Sequence, residues 1–298
     1  MEIKGVYRTF TTPHGKVVAL EDISVKLPSH GIVGLLGPNG SGKTTLMRII
    51  MGIIPPDQGE VLYEGHLLTA ERRRQFGYMP EERGLYPKMT IRSQLLYFLR
   101  LRGMSRAEGE KEIAYWAKRL EMPWIDRPAR TLSKGMQQKA QLALALAGQP
   151  KVLLLDEPFS GLDPIVSAHV EELLREMLSK GVLIILSTHR LEQVDHLCDY
   201  VLFLHKGRLI LAGETAQIRK EFGRRTYEVE LSRPVGEISL PEGVRATPLG
   251  TNRLELTLPE GLSGNAVLEG LLPQAEILFF TEKLPTVREI FLKAVGEG

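Results

Sequence analysis

The sequence contains a single cysteine, Cys198, and carries almost no net charge. One thiol cannot form a disulfide within the chain, which is typical of proteins in a reducing cytosol. The apolar neighbours of Cys198 predict a buried structural thiol. The formal charge is +2, from 38 Lys and Arg against 36 Asp and Glu, so the overall charge gives no reason to expect nucleic acid as the main partner.

Long apolar runs are also missing from this chain. Runs such as Leu142–Ala147 and Val182–Leu186 are far shorter than the roughly 20 residues that a transmembrane helix needs. The N-terminal stretch Met1–Val6 has no apolar core of signal-peptide length. We therefore expect a soluble, cytoplasmic chain that reaches a membrane only through a partner.

The order of predicted elements indicates an α/β protein with a small second domain. Short β-like segments come first, at Glu2–Phe10, Val17–Leu20 and Ile23–Leu27, with a turn at residues 12–15. Strand–helix alternation from residue 31 to 222 then predicts a parallel sheet covered on both faces. A helical block interrupts this alternation after residue 90, and the capping box Ser105–Glu108 predicts the start of its second helix. Later helices are predicted at Gln137–Ala147 and from Pro164, with Asp163 as N-cap. Strand-like segments between Pro and Gly turns follow from residue 226, and the capping box Thr286–Glu289 predicts a final helix.

The most specific motif is the phosphate loop at residues 37–45, which matches the pattern G-x-x-x-x-G-K-[ST]. Its glycines let backbone N–H groups turn toward a pyrophosphate, Lys43 adds a charge at the β- and γ-phosphates, and Thr44 can ligate Mg²⁺. The flanking sequences predict a buried strand before the loop and a helix after it, whose positive N-terminus favours an anion. The chain is therefore expected to bind a nucleoside triphosphate with Mg²⁺. The loop residues are Gly37, Pro38, Asn39, Gly40, Ser41, Gly42, Lys43, Thr44 and Thr45.

Together these patterns predict the fold class. It is an α/β phosphate-loop NTPase core with a mixed sheet, an N-terminal antiparallel β part and an inserted helical subdomain, over residues 1–223. The helical subdomain covers about 87–135, and residues 226–298 form a small C-terminal α+β accessory domain. The second domain has no visible catalytic constellation in its sequence.

Two carboxylates follow an apolar strand at residues 151–157. Asp156 is placed to hold Mg²⁺, usually through water, as in other phosphate-loop enzymes. Glu157 is placed to orient or deprotonate the attacking water. The alternative is a solvated acidic strand end, where Asp and Glu only cap the next turn.

Two further motifs are ambiguous when each is taken alone. Ser133 lies in the segment Leu132–Gln138 before a predicted helix, and it is either a plain N-cap or part of a second anion site with nearby backbone N–H groups. His189 ends the next predicted strand. A lone His is more often structural than functional, but open α/β sheets place ligands at this end of their strands.

The order of these motifs resembles the nucleotide-binding domain of ABC-type ATPases, over about residues 2–222. In this sequence the order is phosphate loop, Phe76–Glu81 loop, helical insert, Leu-Ser-Lys-Gly-Met segment, Asp-Glu strand, Ser-Gly-Leu-Asp segment and His189. The corresponding motifs of the family follow one another in the same order. No Asn-Lys-x-Asp motif for guanine recognition is present in the sequence, which disfavours a GTPase. The resemblance implies that a head-to-tail dimer hydrolyses ATP, with each nucleotide between the phosphate loop of one subunit and the signature segment of the other.

The resemblance also implies roles for particular residues around the nucleotide. Glu157 is the expected catalytic carboxylate and His189 the γ-phosphate sensor, while Lys43 binds the phosphates. Phe10 is expected to stack on adenine, with Tyr7 as the weaker candidate for that ring.

The signature segment is expected to serve the nucleotide of the partner subunit. Ser133 and Gly135 would contact the γ-phosphate bound there, and Asp163 would lie in the loop that links the two sites. The segment departs from the usual Leu-Ser-Gly-Gly-Gln, because Lys134 and Met136 replace the first Gly and the Gln. Lys134 therefore adds a cation beside the γ-phosphate of the partner.

A second departure is Glu81, which stands where the family usually has Gln. A carboxylate could hold Mg²⁺ more strongly than an amide. It could equally repel the triphosphate and stay swung out, and the sequence leaves both alternatives open. The candidate Mg²⁺ ligands are therefore Thr44, Glu81 and Asp156.

A finer resemblance concerns the string Pro80–Tyr86 and the segment Leu132–Gln138 together with the small C-terminal domain. These features are similar to bacterial ABC-2-type exporter ATPases of the sodium-export and drug-resistance group. The resemblance implies an integral membrane permease as partner, a homodimer or a paralogous ATPase subunit, and a place at the cytoplasmic face of the membrane. The alternative is a soluble ABC ATPase acting on ribosomes or nucleic acid, but such relatives usually carry two ATPase domains in one chain or a long coiled-coil insertion.

Overall fold

The structure, a computed structural model, describes residues 1–13, 15–82, 84–189, 191–223 and 225–296, without the side chain of Glu192. It divides into two compact units, Met1–Glu214 and Thr215–Gly298. The helix Thr215–Phe222 falls in the second unit, whereas the sequence analysis assigned it to the first domain. No helix among the described residues combines the length and the apolar character that crossing a bilayer requires.

The first unit contains the following elements. Its strands are β1 (Glu2–Thr12), β2 (Gly15–Lys26), β3 (Gly31–Leu36), β4 (Gln58–Tyr63), β5 (His66–Leu67), β6 (Phe76–Met79), β7 (Val152–Asp156), β8 (Leu183–Thr188), β9 (Tyr200–His205) and β10 (Arg208–Glu214). Its helices are α1 (Lys43–Ile50), α2 (Ala70–Arg73), α3 (Ile91–Leu101), α4 (Arg106–Arg119), α5 (Lys134–Leu146), α6 (Pro164–Ser179) and α7 (Leu191–Leu197).

Two sheets organise this unit. The N-terminal sheet has the order β2-β1-β4-β5 and is antiparallel throughout, which confirms the antiparallel β part predicted from the sequence. The larger sheet has the order β10-β9-β3-β8-β7-β6, in which β10 is an antiparallel edge and the other strands are parallel. The strands β7 and β8 are buried along their whole length, as expected for apolar strands covered on both faces of a parallel sheet.

The helical insert begins with two capped helices. Thr90 caps α3, and Ser105 and Glu108 form the predicted capping box of α4, with the Ser105 N–H donating to Glu108 at 2.8 Å. Asp163 caps α6 by accepting from the Val166 N–H at 2.9 Å, followed by Pro164 in the first turn. These side chains satisfy backbone donors that a helix start leaves free, which explains why the helices begin at these residues.

The second unit has its own apolar core. Its strands are β11 (Thr226–Leu231), β12 (Arg245–Pro248), β13 (Arg253–Thr257) and β14 (Ile277–Glu282), in the antiparallel order β12-β13-β11-β14. Its helices are α8 (Thr215–Phe222), α9 (Gly264–Leu271) and α10 (Val287–Val295). Val229, Leu256 and Leu271 are fully buried between the sheet and α9. This is the α+β composition predicted for the C-terminal domain.

Three local predictions differ from the structure. The segments 17–20 and 23–27 fall in one strand, β2, which ends at Lys26 and continues through Asp22 although that residue has a φ of 51°. The predicted loop at 76–81 begins with a strand, β6, that pairs with β7. Helix α5 begins at Lys134, three residues before the predicted start, because the Ser133 side chain caps it there.

Candidate nucleotide-binding site

Neighbouring parallel strands of the larger sheet end at one common edge. The register pairs Leu36 of β3 with Thr188 of β8. It also pairs Asp156 of β7 with Ser187 of β8. Open α/β sheets bind their ligands outside the carboxyl ends of the strands. The phosphate loop, the two carboxylates, His189 and the loop after β6 all follow directly from this edge.

The phosphate loop is packed so closely that its first residue must be glycine. Gly37 has a φ of 149°, and a Cβ there would lie 2.1 Å from the Leu204 carbonyl oxygen. The Lys43 ammonium is buried and donates to the carbonyl oxygens of Gly37 at 2.8 Å and Pro38 at 3.1 Å. These bonds hold the charge of Lys43 against the inner side of the loop.

The electrostatics around Lys43 are those of a buried cation facing carboxylates. Burial lowers the pKa of Lys43, and the carboxylates of Glu157, Asp156 and Glu81 oppose this by raising it. Three carboxylates from two different loops therefore lie close enough to influence one ammonium group. A bound triphosphate would therefore lie close to both a positive ammonium group and negative carboxylates.

A cavity of about 340 Å³ opens in front of this loop. That volume is within the range of ligand sites, roughly 300–1,000 Å³. The phosphate loop, the β1–β2 hairpin, the loop after β6 and the end of β7 all contribute to its wall. Its lining consists of Phe10, Val17, Val18, Ala19, Asn39, Gly40, Gly42, Lys43, Thr44, Thr45, Glu81, Asp156 and Glu157.

Phe10 lies at the hairpin end of the cavity. It pairs directly with Val17 across the β1–β2 hairpin, and the Arg8 guanidinium lies 4.9 Å from the centroid of its ring. Tyr7 is absent from the described lining of the cavity. The sequence analysis did not predict that Val17, Val18 and Ala19 line the cavity. The predicted turn at 12–15 implies a hairpin register in which Val17 lies opposite Phe10, so this signal was present in the sequence.

Asp156 is buried at the end of β7 and is held by Ser187. The Ser187 hydroxyl donates to Oδ1 of Asp156 at 2.5 Å and accepts from the Glu157 N–H at 3.0 Å. The other oxygen of Asp156, Oδ2, is buried without a hydrogen-bond partner among the described residues. Asp156 and Glu157 are only 1% and 8% exposed, so the alternative of a solvated acidic strand end is wrong.

The donor set at this point fits Mg²⁺. An unpartnered buried carboxylate oxygen and the hydroxyl of Thr44, which lines the same cavity, are the hard oxygen ligands that Mg²⁺ prefers together with substrate phosphates. Glu81 lines the cavity as well and supplies a further carboxylate. No group of three His, Cys, Asp or Glu ligands occurs in the described part of the chain.

Glu157 combines a strained backbone with a buried carboxylate. Its φ is 52°, in the left-handed region that a residue with a side chain rarely adopts. Oε2 of Glu157 lies 2.9 Å from Nδ1 of His189. Burial raises the pKa of Glu157, while His189 and Lys43 lower it. A carboxyl whose pKa is raised by burial is a better proton acceptor than a solvated one.

The signature residues are not among the described residues that line this cavity. The described lining does not include Ser133, Lys134, Gly135 or Asp163. Ser133 is the N-cap of α5, since its hydroxyl oxygen accepts from the Met136 N–H at 3.3 Å. That hydroxyl keeps its own hydrogen as a donor, so the cap does not exclude an anion-binding role.

The remaining predicted residues belong to the loops around the cavity. Gly37, Pro38 and Ser41 belong to the phosphate loop but not to the described lining of the cavity, and His189 contacts the lining residue Glu157. The fold and this site together define a phosphate-loop nucleotide-binding protein. Comparisons with known proteins narrow that class.

Residues 20–160 match the ABC transporter family, and residues 213–295 match the C-terminal domain of DrrA1-3-like ATP-binding proteins. The chain is 33% identical to an uncharacterized ABC transporter ATP-binding protein, YhaQ, of Bacillus subtilis (strain 168), over 99% of this chain and 98% of YhaQ. It is 33% identical to the lantibiotic transport ATP-binding protein SrtF of Streptococcus pyogenes, over 67% of this chain and 86% of SrtF.

A solved structure agrees with these relatives. The dimeric structure of MJ0796, a bacterial ABC transporter cassette, superimposes with a TM-score of 0.66 at 25% identity, covering 72% of this chain and 98% of that chain. The chain therefore belongs to the ATP-binding proteins of ABC transporters, and it is an ABC-type ATPase. The family resemblance inferred from the order of motifs is confirmed.

Proposed function

We propose that this chain hydrolyses Mg²⁺-ATP as one half of a head-to-tail dimer and thereby drives export through a separate integral membrane permease. One observation carries this proposal above all. The 340 Å³ cavity gathers the phosphate loop, Asp156, Glu157 and Glu81 without the signature residues 133–135. A second copy, or a paralogous subunit, would complete the site by supplying them.

Within the site, the phosphate charge is bound by the loop N–H groups, the N-terminus of α1 and the Lys43 ammonium. Thr44 and Asp156 are the residues that would hold Mg²⁺, with Glu81 as a third ligand. The cation would supply neutralisation of the charge on the β- and γ-phosphates. Asp156 is kept in place for this role by its hydrogen bond from Ser187.

Glu157 is proposed to accept a proton from the attacking water. Its buried carboxylate is oriented by His189 on one side and by the bond between its N–H and Ser187 on the other. His189 also lies at the outer rim, where 57% of its side chain is exposed, and it would donate to the γ-phosphate. Phe10, lining the hairpin end of the cavity, would stack on the adenine base.

The dimer would place the first turn of α5 against the nucleotide of the partner. Ser133 would donate its hydroxyl hydrogen, Gly135 would leave room for the close approach of phosphate, and Lys134 would add a cation. Asp163, the N-cap of α6, is close to Gly161 in sequence. A Cβ added at Gly161 would lie 3.2 Å from the Lys134 side chain. The linker 157–163 would thus connect the catalytic carboxylate with the partner-facing surface.

The permease is proposed to dock on the helical insert. The residues Tyr86, Tyr97 and Leu101 are about half exposed, at 51%, 48% and 58%. Tyr86 also stacks on Phe98 of α3, with ring centroids 6.3 Å apart. Within the loop 81–86, Arg83 lies outside the described residues. Docking there would place the chain at the cytoplasmic face of the membrane, and the transport role of SrtF together with the resemblance to ABC-2 exporters supports export.

The catalytic part of the proposal is tested by Glu157→Gln. This change keeps the shape of the side chain and removes the proton acceptor, so ATP turnover should fall about 10²–10⁴-fold, while ATP binding is preserved and an ATP-bound dimer accumulates on gel filtration. Glu172→Gln is the matched control, because Glu172 lies on α6 with 78% of its side chain exposed. Turnover by Glu157→Gln at the parent rate would contradict the assigned role.

The partner is tested separately by affinity purification from detergent-solubilised membranes in the presence of ATP. The expected result is a stoichiometric integral membrane protein. Recovery of ribosomal or DNA-bound proteins, with no membrane protein, would replace the exporter by a soluble ABC ATPase that acts on ribosomes or nucleic acid.

A further inference from the structure

Helix α5 buries glutamine side chains on the face that packs against the core. Gln138 and Gln141 are only 9% and 3% exposed. A buried amide without a partner costs free energy, so each of these side chains must find acceptors. A glutamine amide nitrogen carries two hydrogens and can serve two acceptors at once. The acceptors that these residues use are backbone carbonyls of the catalytic loops.

Each of these amides holds the chain beside one carboxylate of the site. Nε2 of Gln138 donates to the carbonyl oxygens of Glu157 and Pro158, at 3.3 and 3.2 Å. Nε2 of Gln141 donates to the carbonyl oxygens of Pro80 and Glu82, at 3.5 and 3.2 Å. The second pair lies on either side of Glu81. One helix thus binds the backbone of both loops that deliver cavity carboxylates.

The same helix is fixed at both of its ends. Near its start, Gln137 donates to the carbonyl oxygens of Ala129 and Leu132, each at 3.0 Å, and Ser133 caps the first turn. Near its end it lies against β6 at Gly77, where a Cβ would approach the Ala145 carbonyl oxygen to 2.1 Å. Helix α5 is therefore a rigid connector between its N-terminus and the loops that it binds.

We propose that Gln138 and Gln141 are positioning residues, through which the helix that serves the nucleotide of the partner also sets the places of Glu157 and Glu81 in its own site. This inference rests on the proposed composite site, because it assigns the N-terminus of α5 to the nucleotide of the partner. If that nucleotide displaced Ser133 and Gly135, the two amides would transmit the movement and change the positions of the carboxylates.

The backbone at Glu157 gives this coupling a physical reason. A residue with a side chain in the left-handed region is strained and persists only where its surroundings impose it. The Ser187 hydroxyl holds the N–H of Glu157 and the Gln138 amide holds its carbonyl oxygen. Loss of either bond would let the strained peptide relax and move the carboxylate away from the water that it must reach.

The first experiment is a mutant cycle between Gln138→Met and Glu157→Gln. Met keeps the length of the side chain and removes both donors. We expect Gln138→Met to lower the single-turnover rate about 10-fold, as a small displacement of a catalytic group does, without a change in the Kd for ATP. In the Glu157→Gln background the same substitution should change the rate less than about twofold, because it acts through the missing carboxylate.

The second experiment examines Gln141 in the same way. Gln141→Met should raise the Mg²⁺ concentration for half-maximal turnover, and Glu81→Ala should remove this effect. A third cycle pairs Gln138→Met with Ser133→Ala. Their rate losses should be less than multiplicative, since both changes act on one connector.

Gln274→Met is the matched control, because Nε2 of Gln274 also donates to two backbone carbonyls, of Ser239 and Gly270, but in the second unit. It should leave the rate unchanged. Equal fold losses from Gln138→Met with and without Glu157 would overturn the inference, even if Glu157→Gln lowers turnover as strongly as the proposed function expects. If Glu157→Gln hydrolyses ATP at the parent rate, the catalytic role of Glu157 in the proposed function is contradicted, whatever the result for Gln138→Met.

Discussion

The imidazole of His189 and the carboxylate of Glu157 form a pair that joins the surface to the interior. Nδ1 of His189 lies 2.9 Å from Oε2 of Glu157, although the histidine side chain is 57% exposed and that of the glutamate only 9%. A group that is accessible from outside therefore holds a group that is not. Whatever contacts the outer ring nitrogen of His189 can influence the orientation of the buried carboxylate.

His189→Ala tests this pair. Glu157 would lose its orienting partner and the γ-phosphate its donor, so turnover should fall about 10²-fold, with a much smaller change in the Kd for ATP. His66→Ala is the control, since His66 is exposed on β5 and its Nδ1 lies 2.8 Å from the Glu64 carbonyl oxygen. Steady-state phosphate release and nucleotide binding, measured on both variants, give the comparison. An unchanged rate in His189→Ala would mean that the pair has no catalytic role.

The pH dependence of turnover should report the ionisation of Glu157. Burial raises the pKa of this carboxyl above its ordinary value, and only the ionised form accepts a proton. Activity should therefore rise with pH through a limb that lies above the usual range of a glutamate. The measurement is single-turnover hydrolysis against pH at saturating Mg²⁺-ATP. This rise with pH should be missing from the residual activity of Glu157→Gln. If the variant still showed the rise, another titrating group would be its cause.

The same raised pKa has a consequence for stability. Because the folded state binds the proton of Glu157 more tightly than the unfolded state, ionisation of this group costs stability as pH rises from the unfolded to the folded pKa. Glu157→Gln removes this cost. Its melting temperature should exceed that of the parent at neutral pH and approach the parent value in acid, where the parent carboxyl is protonated too. A melting-temperature difference that does not depend on pH would exclude this linkage.

Phe10 and Tyr7 are distinguished by substitution of each ring. Base–aromatic stacking contributes about 1–3 kcal/mol, so Phe10→Leu should raise the KM for ATP roughly 5–150-fold and leave kcat nearly unchanged. Tyr7→Leu should leave the KM close to the parent value, because Tyr7 is outside the described lining of the cavity. The opposite ranking of the two variants would transfer the adenine contact to Tyr7.

Gly77→Ala tests how tightly α5 is held against β6. A Cβ at this position would lie 2.1 Å from the Ala145 carbonyl oxygen, so either the helix or the strand must shift. Overpacking of this kind typically costs about 1–3 kcal/mol of unfolding free energy, which urea denaturation would measure. Gly236→Ala serves for comparison, since a Cβ there would meet no described residue within 4 Å apart from its chain neighbours. Equal stability of both variants would show that the contact can relax.

The parts of the fold that sequence could predict are those fixed by local chemistry. The phosphate loop, the capping residues Ser105 and Asp163, and the apolar strand before Asp156 each carry their own signal over a few residues. The buried thiol was also predictable, and the structure confirms it. Burial in an apolar setting raises the pKa of Cys198 far above its ordinary value.

The features that sequence could not predict depend on tertiary contacts. Helix α9 begins with a glycine, and strand β14 reads as an apolar run without clear alternation, so neither has a strong local pattern. The glutamines of α5 are a sharper example, because Gln138 and Gln141 have a polar side chain that usually indicates a solvated helix face. Only the loops packed over that face reveal that both amides are buried and bonded.

Because the single cysteine is buried, the folded chain should react very slowly with thiol reagents. Cys198 is 6% exposed and its thiol ionises with difficulty, so maleimides and nitroxide reagents should find no native target in the folded protein. A cysteine introduced at an exposed position such as Glu172 on α6 would then be the one reactive thiol of each subunit. A spin label at that position would give an interprotomer distance directly, and the opening and closing of a dimer could be followed in solution without first replacing a native residue.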